Sequence, residues 1–259
     1  MNLRLPVRSA ALGLILVFAT TARTTAETVA AAPGSAVVVE LFTSQGCSTC
    51  PPADALLRKL AAEPGAQSHL VILGYHVDYW NQIGWTDPYS SATWSERQTA
   101  YSKSLPAGEN YTPQTVVNGR RLCVGSDEPA LRQLIAEAAA RPSAHLELHL
   151  QRSGSKINAD IVAAPPAGSM AKLDLMYAVI ESGMDTAVKY GENAHKTLRD
   201  DFVVRRLGRA FMLQGAEHRD SLSVRLGHGW VPEHTQIAIF LQDPETHEIF
   251  GGASAAVPQ

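Results

Sequence analysis

Cysteine is scarce in this sequence, with three among 259 residues. Three cysteines are too few for a scaffold built on disulfides, so hydrophobic cores must hold the fold. Positive charge is also in short supply, since 22 Lys and Arg stand against 25 Asp and Glu, for a formal net charge of -3. This balance argues against a nucleic-acid partner, which would require a basic face, and no polybasic cluster marks a membrane-surface protein.

Several motifs of common enzyme classes are missing as well. The chain contains no Gly-x-Gly-x-x-Gly, no phosphate-cradling loop, no Gly-x-Ser-x-Gly and no His-Glu-x-x-His. Nucleotide-binding, hydrolase and zinc-protease functions therefore lack support. After residue 26, no segment is apolar over enough residues to span a bilayer.

Residues 1–26 have the features of a secretory signal peptide. Two arginines precede the apolar run "ALGLILVFA", which is too short to span a bilayer, and small residues follow it. Cleavage is expected at Ala22 or Ala26, and the alternative is an uncleaved membrane anchor. Removal of residues 1–26 deletes three arginines and no acid, which takes the net charge from -3 to -6. The sequence thus predicts a periplasmic or secreted protein, with residues 27–35 as a flexible lead-in.

The next part of the chain has the pattern of a strand–helix–strand unit. "AVVVELFTS" and "HLVILGYHVD" are almost continuously apolar, which is typical of strands buried on both faces. Between them, "PPADALLRKLAAEPG" places Leu56, Leu57 and Leu60 at helical spacing, with two prolines near the start, where proline is tolerated. Strand, helix and strand in this order indicate a parallel, right-handed crossover.

Residues 79–111 form an aromatic-rich insertion, which is either a substrate groove beside the cysteines or a local core of its own. Within it, "SATWSERQTAYSKSL" predicts a helix. "PQTVVNGRRLCVGSD" then predicts a β-hairpin that turns at Asn118-Gly119. "DEPALRQLIAEAAARP" predicts an amphipathic helix that Asp127 caps and Pro142 stops. From residue 143 onward, alternating strands and turns with no convincing helix predict a β-sandwich-like domain, residues 143–259.

Cys47 and Cys50 in "FTSQGCSTCPPAD" stand directly before the first predicted helix. Free amides and the positive dipole end of a helix N-terminus lower the pKa of a thiol placed there. Cys47 could then attack a substrate disulfide, and Cys50 could resolve the mixed disulfide. Two alternatives remain open: a permanent disulfide in a binding domain, and a Cu(I) site formed by both thiols with His76.

The order strand, Cys-x-x-Cys, helix, strand, helix, proline-led hairpin, helix resembles the thioredoxin fold over residues 36–142. "YHVD" and "YTPQTVVNGRRLCVGSD" are similar to thioredoxin stretches. Together with "VELFTSQGCSTCPPAD", they resemble a family of secreted bacterial proteins that have a thioredoxin-like domain and no firmly assigned function. The resemblance implies that Pro113 is a cis-proline lying against the cysteine pair. It also implies that Thr112 presents its carbonyl to an extended substrate chain.

The chain departs from the thioredoxin pattern in three places. Gly46 replaces the usual aromatic residue, and the dipeptide between the cysteines is Ser48-Thr49, so the direction of electron flow cannot be read from the motif. Glu40 lies seven residues before Cys47, whereas the buried proton acceptor of thioredoxins lies six before. Because a one-residue slip turns a strand side chain to the opposite face, Glu40 is either that acceptor or a solvated or paired strand acid.

The sequence therefore predicts an α/β thioredoxin-like fold followed by an all-β, sandwich-like C-terminal domain. It predicts an exported thiol–disulfide oxidoreductase whose catalytic residues are Cys47 and Cys50, with Pro113, Thr112 and Glu40 in support. The expected partners are protein thiols or disulfides, with no nucleic acid and no membrane span once the signal peptide is removed. No cofactor is expected unless the Cu(I) alternative holds. Unpaired Cys123 is expected to be buried.

Overall fold

The computed structural model describes residues 27–30, 36–106 and 109–259. The predicted signal peptide, residues 1–26, lies outside the described residues. The fold is mixed α/β: one large mixed sheet packs against helices, and smaller antiparallel sheets accompany it. Within the described ranges, no helix is both long enough and apolar enough to cross a membrane.

Among the described residues, the α-helices all belong to the first half of the chain, with short 3-10 helices at Tyr79–Ile83 and Pro232–His234. The α-helices are α1 (Pro51–Ala61), α2 (Ala66–His69), α3 (Ala92–Ser104) and α4 (Glu128–Ala139). The strands are β1 (Glu27–Ala30), β2 (Val37–Thr43), β3 (Leu70–His76), β4 (Gln114–Val117), β5 (Arg121–Val124), β6 (His145–Ser153), β7 (Lys156–Ala164), β8 (Lys172–Glu181), β9 (Met184–Ala187), β10 (Thr197–Asp200), β11 (Val203–Gln214), β12 (His218–Arg225), β13 (Thr235–Gln242) and β14 (Ile249–Ala256). After residue 143 the regular elements in the described part of the chain are strands and one 3-10 helix, in agreement with the change in sequence pattern there.

The large sheet has eight strands in the order β14-β13-β8-β11-β3-β2-β4-β5. β2 and β3 pair in parallel, with Val37 opposite Leu70 and Thr43 opposite His76. All seven residues of β2 are buried, which explains its nearly continuous apolar sequence. This pairing confirms the predicted strand–helix–strand unit and brings the carboxyl ends of β2 and β3 side by side.

Local signals set the remaining elements of the first half. Residues 118–120 join β4 to β5, and Asn118 and Gly119 at the centre of this tight turn have φ values of 47° and 62°. Asp127 caps α4 by accepting a hydrogen bond from the Ala130 N–H at 3.1 Å, and Ser91 caps α3. The predicted hairpin and both predicted helices are confirmed.

A separate β-sandwich domain, expected from the sequence for the second half of the chain, is not clearly shown. β8, β11, β13 and β14 extend the large sheet, and β11 pairs in parallel with β3 through Val203 and Gly74. The four-stranded sheet β1-β6-β7-β12 packs on one face of this extension, as in a sandwich. The pairing of β11 with β3 is short: it comprises Val203 opposite Gly74, with the Gly74 N–H donating to the Phe202 carbonyl at 2.7 Å, and it joins strands of the two halves in one sheet.

Part of the expected flexible lead-in is a strand. Glu27–Ala30 pairs antiparallel with β6, with Glu27 opposite Leu150 and Ala30 opposite Glu147. These four residues therefore complete the four-stranded sheet, and residues 31–35 lie outside the described part of the chain.

Two hydrophobic cores lie on opposite faces of the first-half strands. One lies under α1 and α4. The other lies under α3 and combines ten buried residues of the first half with six of the second: Ala178, Ile180, Val204, Ala238, Phe240 and Ile249. The predicted boundary at residue 142 thus crosses a shared core, and the division there into domains 36–142 and 143–259 stays a prediction.

Candidate functional site at the Cys47–Cys50 loop

Cys47 and Cys50 are joined in a disulfide immediately before α1. Cys50 is the N-cap residue of α1, and the two prolines that follow occupy the first helical positions, where the missing N–H of proline costs nothing. Cys47 lies in the preceding turn, which is closed by the Cys50 N–H bonding to the Cys47 carbonyl at 3.3 Å. The sequence placed Cys47 at the helix start itself, and the structure places it three residues earlier.

The loop exposes its middle and buries its ends. Both cysteines are 0 % exposed, whereas Ser48 and Thr49 between them face solvent. The hydroxyl of Thr49 lies 3.3 Å from the sulfur of Cys47. The surface of the site is therefore the Ser48-Thr49 dipeptide, with the disulfide directly beneath it.

The Thr112–Pro113 segment lies against the pair, as the resemblance implied. The Thr112–Pro113 peptide bond is cis, and the Thr112 carbonyl oxygen is 3.9 Å from the Cys47 sulfur. Gly125 holds this segment in place, because its N–H donates to the Pro113 carbonyl at 2.8 Å. A Cβ on Gly125 would come within 2.9 Å of Leu41 and 3.1 Å of Ala53 and Pro113, so any larger residue would displace its neighbours.

A buried cluster of acids around His76 lies behind the loop. The His76 Nδ1 is 2.7 Å from Asp87 Oδ2, and its Nε2 is 4.0 Å from Asp200 Oδ1. Both carboxylates also hold Gln45, two residues before Cys47. Asp87 accepts the Gln45 N–H at 2.8 Å, and Asp200 accepts the Gln45 side-chain amide at 2.6 Å. His76 is thus a structural anchor for the entry of the loop.

Burial and charge act in opposite directions in this cluster. Burial lowers the pKa of His76, but Asp87 and, more weakly, Asp200 and Asp54 outweigh it and raise that pKa to about 9. Burial raises the pKa of the half-buried Asp54 to about 7, although His76 and the Thr43 hydroxyl oppose the rise. His76 is therefore protonated near neutral pH, and Asp54 titrates there.

The aromatic insertion packs beside the loop. Its Trp80 lies where a side chain on Gly46 would point, with the Trp80 Cβ 3.3 Å from a Cβ built on that glycine. Its Trp85 donates an indole N–H to the Gln45 side-chain carbonyl at 2.9 Å. The close approach of Trp80 explains why a small residue replaces the aromatic that usually precedes the first cysteine.

The second half of the chain also reaches the loop, through residues 191–193 between β9 and β10. The buried Asn193 amide donates to the carbonyls of Gln45 and Cys47, both at 2.9 Å. The Glu192 carboxylate accepts the Ser48 N–H at 2.9 Å. Both halves of the chain therefore build this site.

The remaining predicted residues lie elsewhere. Glu40 points to the α3 face of the sheet, where Arg97 Nε donates to its carboxylate at 2.7 Å and the Tyr101 hydroxyl donates to its other oxygen. The structure thus does not bring Glu40 beside the cysteines. Cys123 is a free, half-buried cysteine on β5, and burial followed by the nearby Asp127 raises its pKa to about 11.

Comparisons with known proteins establish the family. A family model described as "Protein of unknown function (DUF1223)" matches residues 38–242. The chain belongs to the DUF1223 family. No match among curated proteins reaches significance.

Two solved structures are similar to this DUF1223 chain. Protein AGR_C_4864 from Agrobacterium tumefaciens is 28% identical with a TM-score of 0.66, over 86% of this chain and 95% of that one. HBP35 of Porphyromonas gingivalis is 15% identical with a TM-score of 0.64, over 86% of this chain and 76% of that one, and it shows the fold alone. Each match covers most of both chains, so the likeness extends beyond the first half.

No metal-ligand set is assembled in the described part of this DUF1223 protein. Groups of three or more His, Cys, Asp or Glu with the geometry to hold a metal ion are absent from those ranges. His76 faces Asp87 and Asp200, and the two sulfurs are bonded to each other. The structure therefore does not bring Cys47, Cys50 and His76 together as the ligand set of the Cu(I) alternative.

Five residues of the site escaped the sequence analysis. They are Asp54, Asp87, Glu192, Asn193 and Asp200. Asp54 could have been found, because it lies four residues after Cys50 and positions i and i+4 share one face of a helix. The other four carry no local signal, since they meet the loop only through tertiary contacts.

The stability of the protein is expected to fall as the pH rises from about 6.5 to 9. The pKa of His76 is raised from 6.5 to about 9 in the fold. The stabilisation of the fold by protonated His76 is therefore complete below pH 6.5 and is lost as the pH rises through about 9. The total free energy of unfolding lost in this way is about 3 kcal/mol. Urea unfolding at a series of pH values measures this slope.

His76→Gln tests this assignment, and His145→Gln, which replaces an exposed histidine, is the control. The pH slope between 6.5 and 9 should flatten in His76→Gln and persist in His145→Gln. An unchanged slope in His76→Gln would show that another group causes it.

Proposed function

We propose that this protein is an exported thiol–disulfide oxidoreductase that acts on protein thiols or disulfides through Cys47 and Cys50. The observation that carries the proposal is the position of the pair. The disulfide joins two cysteines three positions apart directly before α1, and the Thr112 carbonyl oxygen lies 3.9 Å from the Cys47 sulfur. A backbone carbonyl there can accept a hydrogen bond from an extended substrate chain.

The arrangement of the first half supports the same proposal. The sheet order β3-β2-β4-β5, with α1 following the cysteines and a proline-led hairpin beside them, resembles a thioredoxin-like domain. The signal-like sequence at the N-terminus supports export to the periplasm or the medium, where disulfides form and persist.

The proposed reaction exchanges one disulfide for another. The Cys47 thiolate attacks a substrate disulfide, forms a mixed disulfide and releases the first substrate thiolate. The Cys50 thiolate then attacks the Cys47 sulfur, restores the Cys47–Cys50 bond and releases the second substrate thiolate. Two electrons pass from the protein dithiol to the substrate, and the reverse sequence oxidises a substrate dithiol.

One observation favours a second candidate, a binding module with a permanent bridge. Both cysteines are 0 % exposed, and Asn193 and Glu192 fasten the loop from the second half. An unusually stable disulfide would follow from such shielding. The reduction potential separates the two candidates, because structural disulfides typically lie below about -300 mV.

Cysteine variants test the proposal directly. Cys47→Ser is expected to abolish disulfide exchange, because it removes the attacking sulfur. Cys50→Ser should trap a mixed disulfide with the partner protein, because the resolving thiol is gone. Insulin reduction and non-reducing electrophoresis of exported protein measure both effects.

Cys123→Ser is the matched control and should exchange disulfides like the parent protein. If Cys47→Ser retains full exchange, or Cys50→Ser captures no partner while the parent turns over, the oxidoreductase proposal fails. Stoichiometric Cu(I) binding without any exchange would favour the copper alternative.

A further inference from the structure

The loop between β9 and β10 places a negative charge on the exposed side of the cysteine pair. Glu192 accepts the Ser48 N–H at 2.9 Å, and Ser48 directly follows Cys47. Four bonds join the Ser48 nitrogen to the Cys47 sulfur, which limits their separation to about 5 Å, so the bonded carboxylate oxygen lies within roughly 8 Å of the sulfur. Hydrogen bonds from Ser48 lower the pKa of Glu192, which is therefore ionised near neutral pH.

This contact opposes the electrostatic stabilisation that a cysteine thiolate near a helix start normally receives. Free backbone N–H groups there normally stabilise the thiolate. Here the Ser48 N–H is already bonded to a carboxylate, and like charges in proximity disfavour each other. A thiolate on Cys47 therefore loses a donor and gains a repelling neighbour.

Other charged groups also lie around the loop, and they are common to the parent protein and to any variant of Glu192. They are His76 on β3, Asp87 in the insertion, Asp200 on β10, Asp54 on α1, and Lys196 after the loop. The charge on His76 is matched by Asp87 at 2.7 Å, behind Gln45. The Lys196 ammonium is bonded to the Asn193 side-chain oxygen at 2.9 Å.

We infer that Glu192 lowers the reduction potential of the Cys47–Cys50 pair and so biases it toward reducing substrate disulfides. The inference rests on the proposed function and adds its direction. Destabilising the Cys47 thiolate weakens the reduced state relative to the neutral disulfide. The reduced pair gives two electrons to a substrate disulfide, and a dithiol protein must restore it by exchange, becoming a disulfide itself.

Asn193 fixes the geometry on which this effect depends. Its amide holds the carbonyls of Gln45 and Cys47, while Glu192 next to it is exposed and carries the charge. Glu192→Gln keeps an oxygen that can accept the Ser48 N–H and removes only the charge. This substitution therefore separates electrostatics from loop structure.

The test measures the Cys47 pKa and the reduction potential of the full exported chain. In Glu192→Gln, the pKa read from thiolate absorbance should fall by roughly one unit. A tenfold change in that equilibrium makes the potential up to about 30 mV less negative at pH values above the Cys47 pKa. The effect should shrink in 1 M salt, because the Debye length falls to about 3 Å.

Two variants serve as controls. Glu192→Asp keeps the charge and should retain much of the parent pKa. Glu217→Gln removes an exposed charge that is bonded to Arg219 on β12, and it should leave pKa and potential unchanged. Equal pKa and potential in Glu192→Gln and the parent would overturn the inference.

Neither measurement needs a substrate. If the protein exchanges disulfides but Glu192→Gln changes neither the Cys47 pKa nor the reduction potential, this inference alone is refuted. A protein whose potential shifts but which never exchanges disulfides refutes the proposed function alone.

Discussion

A chain that ends at Pro142 is expected to be unfolded in isolation. Six of the sixteen buried residues in the core under α3 come from the second half. Burying side chains of this kind stabilises a fold by about 1.5–3 kcal/mol for each large one, and a whole domain is stable by only about 5–15 kcal/mol. Phe240 and Ile180 alone therefore represent a large share of the available stability.

Circular dichroism and urea unfolding of residues 27–142 test this expectation. The fragment should show little cooperative unfolding, and adding residues 143–259 should restore native signal if the halves reassociate. Phe240→Ala in the full chain is a milder form of the same test, with an expected cost of about 3–5 kcal/mol. Cooperative unfolding of residues 27–142 alone would support the original division at residue 142.

Replacing Arg97 by methionine is expected to destabilise the protein by about 3–5 kcal/mol. The Arg97 side chain is 8 % exposed and pairs with Glu40, which is 0 % exposed. Its guanidinium also lies over the rings of Tyr75 and Phe240 at 5.5 and 5.7 Å. Removing the cation leaves the buried Glu40 carboxyl group without its main partner inside the protein.

A double variant separates the lost pair from lost packing. Glu40→Gln with Arg97→Met removes both charges and should recover most of the stability, since the penalty comes from an unpaired buried charge. Arg132→Met is the control, because Arg132 pairs with Glu63 at the surface and such pairs contribute about 0.2–1 kcal/mol. Equal losses in Arg97→Met and Arg132→Met would contradict the burial argument.

Glu40 shows where local reasoning reached its limit. Its spacing from Cys47 left two roles open, and the side-chain alternation of β2 turns it to the face opposite α1. Arg97 on α3 then neutralises it. Arg97 lies 57 positions after Glu40, and the two meet only because α3 packs on this face of the sheet. The sequence around Glu40 therefore does not identify its partner.

The sequence by itself determined the elements whose signals lie between near neighbours along the chain. The apolar run of β2, the helical leucines of α1, the Asn118-Gly119 turn and the cysteine pair before a helix were all legible, because periodicity, capping and turn geometry are local. The tertiary structure alone decided what surrounds the pair. Asp200 meets Gln45 across 155 positions and Glu192 meets Ser48 across 144. Such contacts form only after strands from the second half extend the sheet of the first, and no local pattern encodes them.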